Sequence, residues 1–434
     1  MAEFVQKRLE ESLPELEQLE RVQLFTKEEV RSVIKKRKEF EYRLQRKRKA
    51  KEDFTRYIEY ERSLLQLIWK RRQRLGYKHK QADIDHKIVT RISQLYRIAC
   101  IRFSDDVSLF LAHVAFCRQM RQLAQGSRVF TRLLRTHGHR PDVWEAAALY
   151  EMDDNNSPET ARQLMLRALR LHPESTALWT AHFRLELGYA ALLRRRQNLL
   201  GVTTKPEKAT EPEEAGEKSG QAPADPVLEG AVARAVARQA VRRLPEVDPK
   251  ADPCRLLTGL LAVCREFDFA AGLERELRDE LRASFPQRAL TYDTLARAAL
   301  QGDRAPTKLR HRLRACCELY EHGLEAAAPA DELYELYLSS LVETARAAAR
   351  HRHLVLPRLE EVLGRAAAAG AVSESAFLGV AALYAELGMA DQAAATLRTA
   401  TDAHPASAAL WWKLVQALAD SGDECSPRTT CDRR

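Results

Sequence analysis

Residues 144–186 read WEAAALYEMDDNNSPETARQLMLRALRLHPESTALWTAHFRLE, and this stretch decides the fold. Trp144 is followed by Ala147, Ala148 and Glu151 at i+3, i+4 and i+7, the spacing of one helical face. Asn155-Asn156-Ser157-Pro158 then marks a turn, because proline has no N–H to continue a helix and is suited to starting one. A second run, Ala161, Leu164-Met165 and Ala168, follows on helical spacing. His172-Pro173 closes it, and Trp179 starts the pattern again with His182, Phe183 and Glu186 at the same offsets.

The step from Trp144 to Trp179 is 35 residues, and Phe110 stands 34 residues before Trp144 with His113, Val114 and Cys117 in register. Phe54 opens a further copy with Tyr57, Ile58 and Glu61, and the wider gap to Phe110 leaves room for a longer connection containing a basic run. The second helices keep the same step: Ile92, Gly126 and Ala161 align, then Leu95-Tyr96, Val129-Phe130 and Leu164-Met165, then Ala99, Leu133 and Ala168. Small residues recur where two helices must approach closely. Neither helix of such a pair can bury its stripe alone, so neighbouring pairs complete a continuous core. Downstream, Cys316, Leu319, Tyr320, Gly323 and Leu324 repeat the second-helix pattern, and Tyr334, Tyr337, Leu338 and Leu341 the first; Phe377 to Leu397 and His404-Pro405 with Trp411-Trp412 are looser copies.

The expected architecture is all-α: a right-handed α-solenoid of antiparallel helix pairs with an N-terminal helical region. The expected division is an N-terminal helical region at 1–52, a first array at 53–200, a low-complexity linker or loop at 201–230, a degenerate second array at 231–420 and an irregular tail at 421–434. Segment 201–230 is rich in Pro, Glu, Lys, Ala and Gly and has too little apolar surface for a core. The tail DSGDECSPRTTCDRR breaks the pattern after a helix that still needs a partner or a polar cap, which reads as truncation or an alternative tail. Ahead of the repeats, Thr26 with Glu29 forms a capping box, Phe25 staples against Val30, and a helix begins there. Leu9, Leu13, Leu16 and Leu19 form an earlier stripe that either packs on the first repeat or seeks a partner.

In 434 residues there are only 17 Gly and 17 Pro, a composition favouring helix over turn and strand. No run reaches the roughly 20 apolar residues of a membrane span, and MAEFVQKRLEE is too charged for a secretory signal, so a soluble intracellular protein is expected. The eight cysteines form no C-x-x-C pair; Cys316 and Cys317 read as buried small hydrophobes, with no metal site. Phosphate-loop, zinc-protease and nucleophile-elbow motifs are absent, so no catalytic residue, cofactor or small-molecule substrate is expected. His137 and His139 read as surface or cap residues, His351 and His353 likewise, and His113 and His182 as hydrogen-bonded interior residues.

The chain carries a net charge of +9, and one segment holds most of it: from Arg43 to Arg74, twelve Lys or Arg face four Asp or Glu. The clusters are Arg43, Arg46, Lys47, Arg48, Lys49 and Lys51, then Lys70, Arg71, Arg72 and Arg74, preceded by Lys35-Lys36-Arg37-Lys38. Such runs suit RNA-phosphate contact or nuclear import, and they also occur as solvated helix faces.

A tryptophan followed by glutamate at i+7, then an A-R-x-apolar-apolar-x-R-A second helix, resembles the half-a-tetratricopeptide (HAT) repeat; Trp144, Tyr150, Glu151, Ala161, Arg162, Arg167, Ala168 and Leu169 carry the likeness, and Trp179 with Glu186 starts another copy. Cys117 and Ser127 depart from it. The N-terminal elements Pro14-Glu15-Leu16-Glu17, Leu24-Phe25-Thr26, Ile34-Lys35-Lys36-Arg37, Phe40-Glu41-Tyr42, Asp53-Phe54, Tyr57 to Glu61 and Arg74-Leu75-Gly76-Tyr77 are similar to the U3 small nucleolar RNA-associated protein 6 family. The resemblance implies a non-enzymatic scaffold of the small-subunit processome, working with WD-repeat propeller subunits, the U3 small nucleolar ribonucleoprotein and precursor ribosomal RNA in the nucleolus. The competing readings are a HAT scaffold of messenger RNA splicing or 3'-end processing, and a tetratricopeptide adaptor with basic clamps on its first helices, where this chain has Glu151 and Glu186.

Overall fold

The computed structural model describes residues 2–76, 81–199, 230–249, 251–301, 309–326, 330–347 and 351–421. Among them are α-helices, a short 3-10 turn at Asp268–Ala270, and no strand. Contacts divide the chain into two compact units, Met1–Leu185 and Glu186–Arg434.

The first unit contains α1 (Ala2–Arg21), α2 (Lys27–Leu44), α3 (Lys51–Leu75), α4 (Gln81–Arg102), α5 (Val107–Gln119), α6 (Leu123–His137), α7 (Pro141–Asp153), α8 (Pro158–Leu171) and the beginning of α9 (Thr176–Leu199). The capping box forms as the sequence requires: Glu29 N–H donates to Thr26 Oγ1 at 3.3 Å, and Thr26 N–H to Glu29 Oε2 at 2.9 Å. Leu16 and Leu19 of α1 join Phe25, Val30, Phe54, Ile92, Phe110 and Tyr150 in one core, so the early leucine stripe is packed inside the unit, with Leu13 left exposed. The extra length between Phe54 and Phe110 lies in the helices themselves, since α3 and α4 have 25 and 22 residues against 13 and 15 in α5 and α6. Its cause is visible in α3, whose apolar face continues through Leu64, Leu65 and Ile68 after Glu61.

Close approach of the second helix of one pair to the first helix of the next explains the small residue at Gly126. A Cβ on Gly126 of α6 would lie 2.0 Å from the hydroxyl oxygen of Tyr150 on α7. That hydroxyl donates to the carbonyl of Leu123 at 3.0 Å, so the ring cannot move away freely.

The second unit continues with α10 (Ala231–Val247), α11 (Pro253–Cys264), α12 (Ala271–Ser284), α13 (Ala289–Gln301), α14 (Leu309–Glu325), α15 (Ala330–Ala347), α16 (Arg352–Ala368), α17 (Glu374–Glu386), α18 (Ala390–Ala403) and α19 (Ala408–Ser421). Its main core runs from Ala289 through Cys316, Tyr320, Tyr337 and Phe377 to Leu414. Gly323 repeats the logic of Gly126, because its Cβ would meet the Tyr292 ring at 2.7 Å. Cys316 and Cys317 are buried, as are the four other cysteines described. The expected linker or loop at 201–230 apart from Gly230, the expected tail at 421–434 apart from Ser421, and Tyr77 lie outside the described residues.

Candidate functional site

The structure divides the basic segment. Arg46, Lys47 and Arg48 are exposed in the turn between α2 and α3, with Lys49 half-buried beside them. Lys70 and Arg74 are exposed near the other end of α3. At about 1.5 Å per residue the two ends of this 25-residue helix stand roughly 36 Å apart, so they are separate patches. Three of the ten cations are held by carboxylates. Lys51 pairs with Asp106, whose side chain also caps α5. Arg71 grips both Glu29 oxygens at 2.6 and 2.7 Å and lies 4.4 Å from the centre of the Phe25 ring. This hydrogen bonding to Arg71, helped by Thr26, holds the Glu29 carboxyl down to about 2. Arg72 is buried and donates to Asp85 at 2.7 Å. Arg43 is half-buried, 5.8 Å from the Phe40 ring centre.

Arg37, one of the preceding basic run, is only 1% exposed. Its Nε and Nη2 donate to the two oxygens of Glu61 at 2.7 and 2.9 Å, and Nη1 donates to Glu15 at 2.5 Å. Arg91 from α4 reaches the same Glu15 oxygen at 2.6 Å. Two guanidiniums thus neutralise two buried carboxylates contributed by α1 and α3, and the i+7 glutamate of the first repeat is consumed in joining four helices. Burial pulls the Arg37 pKa down, but Glu61 and Glu15 outweigh it and the net direction is upward.

The repeat-signature residues are mostly internal. Phe54, Trp144 and Trp179 are buried, as are Glu61, Glu151 and Glu186. Glu151 accepts from Asn155 at 2.7 Å, tying the helix end to its turn. Arg162 is half-buried, and Arg167 is exposed, 5.9 Å from the Trp144 ring centre. A tetratricopeptide-like clamp would need these i+7 positions open and basic.

A polar ladder that the sequence reading missed links successive repeats. The indole N–H of Trp144 donates to Gly138 O at 2.8 Å, that of Trp179 to Pro173 O at 3.0 Å, and that of Trp411 to Pro405 O at 3.0 Å, always six residues back. Histidines at the ends of second helices reach further. His137 bonds Ser104 O at 2.7 Å, His172 bonds Gly138 O at 2.8 Å, and His404 bonds Val372 O at 2.8 Å. His137 is therefore not a surface residue: its ring also stands edge-on to Phe110, as His404 does to Phe377. The signal available in sequence was the placement of His137 and His404, each 27 residues after its aromatic. His113 is interior as expected, yet its Nε2 has no hydrogen-bond partner among the described residues; its ring stacks on Tyr96 at 5.1 Å, and burial, with Arg132, lowers its pKa to about 4.

Helix pairs stepping at 34 to 35 residues, closed by a histidine rung and opened by an aromatic, define a helical-repeat protein of the HAT and tetratricopeptide type. Residues 9–91, which contain α2, α3 and the Arg37 network, match the family model described as U3 small nucleolar RNA-associated protein 6. The human "U3 small nucleolar RNA-associated protein 6 homolog" is 35% identical over 354 residues, covering 79% of this chain and 56% of its own length. The Schizosaccharomyces pombe "U3 small nucleolar RNA-associated protein 6" is 34% identical over 212 residues, covering 48% of this chain and 43% of its own. This chain belongs to the U3 small nucleolar RNA-associated protein 6 family. It spans about half the length of the curated relatives it matches. Among solved structures, yeast Tom70 aligns over 78% of this chain and 60% of its own at 12% identity, with a TM-score of 0.26.

Proposed function

We propose that this chain is a non-enzymatic scaffold of the small-subunit processome, acting in nucleolar processing of precursor 18S ribosomal RNA and in small-subunit assembly. The observation that carries the reading is the 35% identity to a U3 small nucleolar RNA-associated protein 6 homolog across 79% of the chain. The fold supports an architectural role, because Arg37, Glu61 and the end-of-helix histidines are occupied in joining helices and Glu151 in tying a helix end to its turn. Strongly shifted groups such as His113 and Tyr320 owe their shifts to burial inside helix-pair cores. Among the described residues no helix is long and apolar enough to cross a membrane.

In this reading the N-terminal helices of 1–52 and the repeats of 53–200 and 231–420 dock WD-repeat propeller subunits. The U3 small nucleolar ribonucleoprotein and precursor ribosomal RNA are the wider partners, reached directly or through those subunits. Arg46, Lys47 and Arg48 in the α2–α3 turn contact RNA phosphates or are read for nuclear import. The test is affinity purification from nuclear extract with and without ribonuclease. Propeller-containing processome subunits that survive ribonuclease are the expected result; spliceosomal or polyadenylation partners would replace the assignment with messenger RNA processing.

A further inference from the structure

The first unit carries an open cleft of about 640 Å³ between α4 and the start of α6. Arg97, Arg121 and Arg128 line it, together with the neutral amides Gln94, Gln122 and Gln125, and no carboxylate does. All three arginines are exposed, and none forms an ion pair among the described residues. Elsewhere in the unit Arg37, Arg71, Arg72, Arg91 and Arg118 each meet an acidic partner. Like charges gathered without counter-charge repel, a cost that an anion entering the cleft would remove.

Two backbone features reinforce the arginines. Arg121 sits at φ 53°, in the left-handed region where side chains other than glycine and asparagine are strained, and this turn sets the arginine at the cleft. Gln122 at the start of α6 makes no side-chain cap, so the Leu123 and Ala124 amides receive no acceptor from it, while the Gln125 N–H bonds the Gln122 carbonyl at 3.1 Å.

We infer that this cleft holds the phosphodiester backbone of an RNA strand. The inference rests on reading the chain as a ribosomal RNA-processing scaffold and places an RNA contact away from the basic α2–α3 turn. Guanidinium forks match phosphate geometry, and the surrounding amides can bond ribose hydroxyls and base edges. Leu123 and Ala124 are the only apolar side chains lining the cleft, so a peptide would find no pocket for an apolar anchor.

The test is fluorescence anisotropy of the purified chain with a short labelled single-stranded RNA across a salt series, comparing wild type with Arg97→Gln/Arg121→Asn/Arg128→Gln. The variant should weaken binding on the order of tenfold at moderate salt, and the slope of log affinity against log salt should fall by roughly 2, about 0.7 for each lost contact. Arg46→Gln/Lys47→Gln/Arg48→Gln measures the basic turn separately. Should the cleft variant unfold, dicarbonyl modification of the wild-type chain replaces it: RNA should protect Arg97, Arg121 and Arg128. Unchanged affinity and slope, absence of RNA binding by wild type, or no protection overturns the inference. So does arginine-dependent binding of a polyglutamate peptide that RNA does not displace, which would assign the cleft to an acidic protein segment. Ribonuclease-resistant processome partners in the purification keep the scaffold reading even if the cleft fails; messenger RNA partners overturn that reading even if the cleft binds RNA.

Discussion

His172 Nε2 stands 2.8 Å from the carbonyl oxygen of Gly138, 34 residues earlier, and the same oxygen receives the indole N–H of Trp144 at 2.8 Å. One carbonyl thus joins the opening of a repeat to its close. His172→Ala should lower stability by about 1 kcal/mol, because Trp144 still satisfies the oxygen. Adding Trp144→Phe strips it of both donors, and the double variant should lose more than the two single losses combined. Urea unfolding of the four proteins measures the coupling.

Gly126→Ala places a methyl where the Tyr150 hydroxyl lies and should cost about 1–3 kcal/mol. Removing that hydroxyl in Gly126→Ala/Tyr150→Phe should recover part of the loss, although Tyr150→Phe alone gives up the bond to Leu123. A Gly126→Ala variant as stable as the wild type or more so would show that helix propensity, which favours alanine, rather than close approach, decides this position.

Arg37→Met leaves Glu15 and Glu61 buried with Arg91 as their remaining guanidinium and should destabilise the first unit by about 3–5 kcal/mol. Arg37→Met with Glu15→Gln and Glu61→Gln removes the stranded charges, and its thermal midpoint should lie above that of Arg37→Met. A lower midpoint would mean that the carboxylates contribute chiefly through packing.

His113 gives stability a sign with pH. Its pKa is about 4 in the folded chain against an ordinary 6.5, so the unfolded chain takes up the proton first. The contribution is complete above pH 6.5, declines as pH falls toward 4 and is gone below it, with a ceiling of roughly 3 kcal/mol. His113→Phe, which can keep the stack on Tyr96, should flatten this limb in unfolding measured from pH 7 to pH 4.

The period was legible because aromatics open the first helices at fixed offsets and small residues recur in the second helices, as Trp144, Trp179, Gly126 and Ala161 report directly. Depth was not. Arg37 sits among Lys35, Lys36 and Lys38 and reads as one more surface cation, since its partners Glu15 and Glu61 stand 22 and 24 residues away and nothing local shows that they converge. The division of the basic segment was hidden for a related reason: charge sums over a sequence window, whereas α3 carries its two clusters to opposite ends. The unpaired arginines of the cleft are separated in sequence and fall in no run, so only folding assembles them.

The histidine rungs also govern where this chain can change length. One residue inserted within α8 would rotate His172 by about 100° around the helix and carry its ring off the Gly138 carbonyl. The repeats therefore have a grammar: gaps among relatives should gather in segments that no rung spans or should delete a whole helix pair, while the intervals from Ser104 to His137, Gly138 to His172 and Val372 to His404 keep their length.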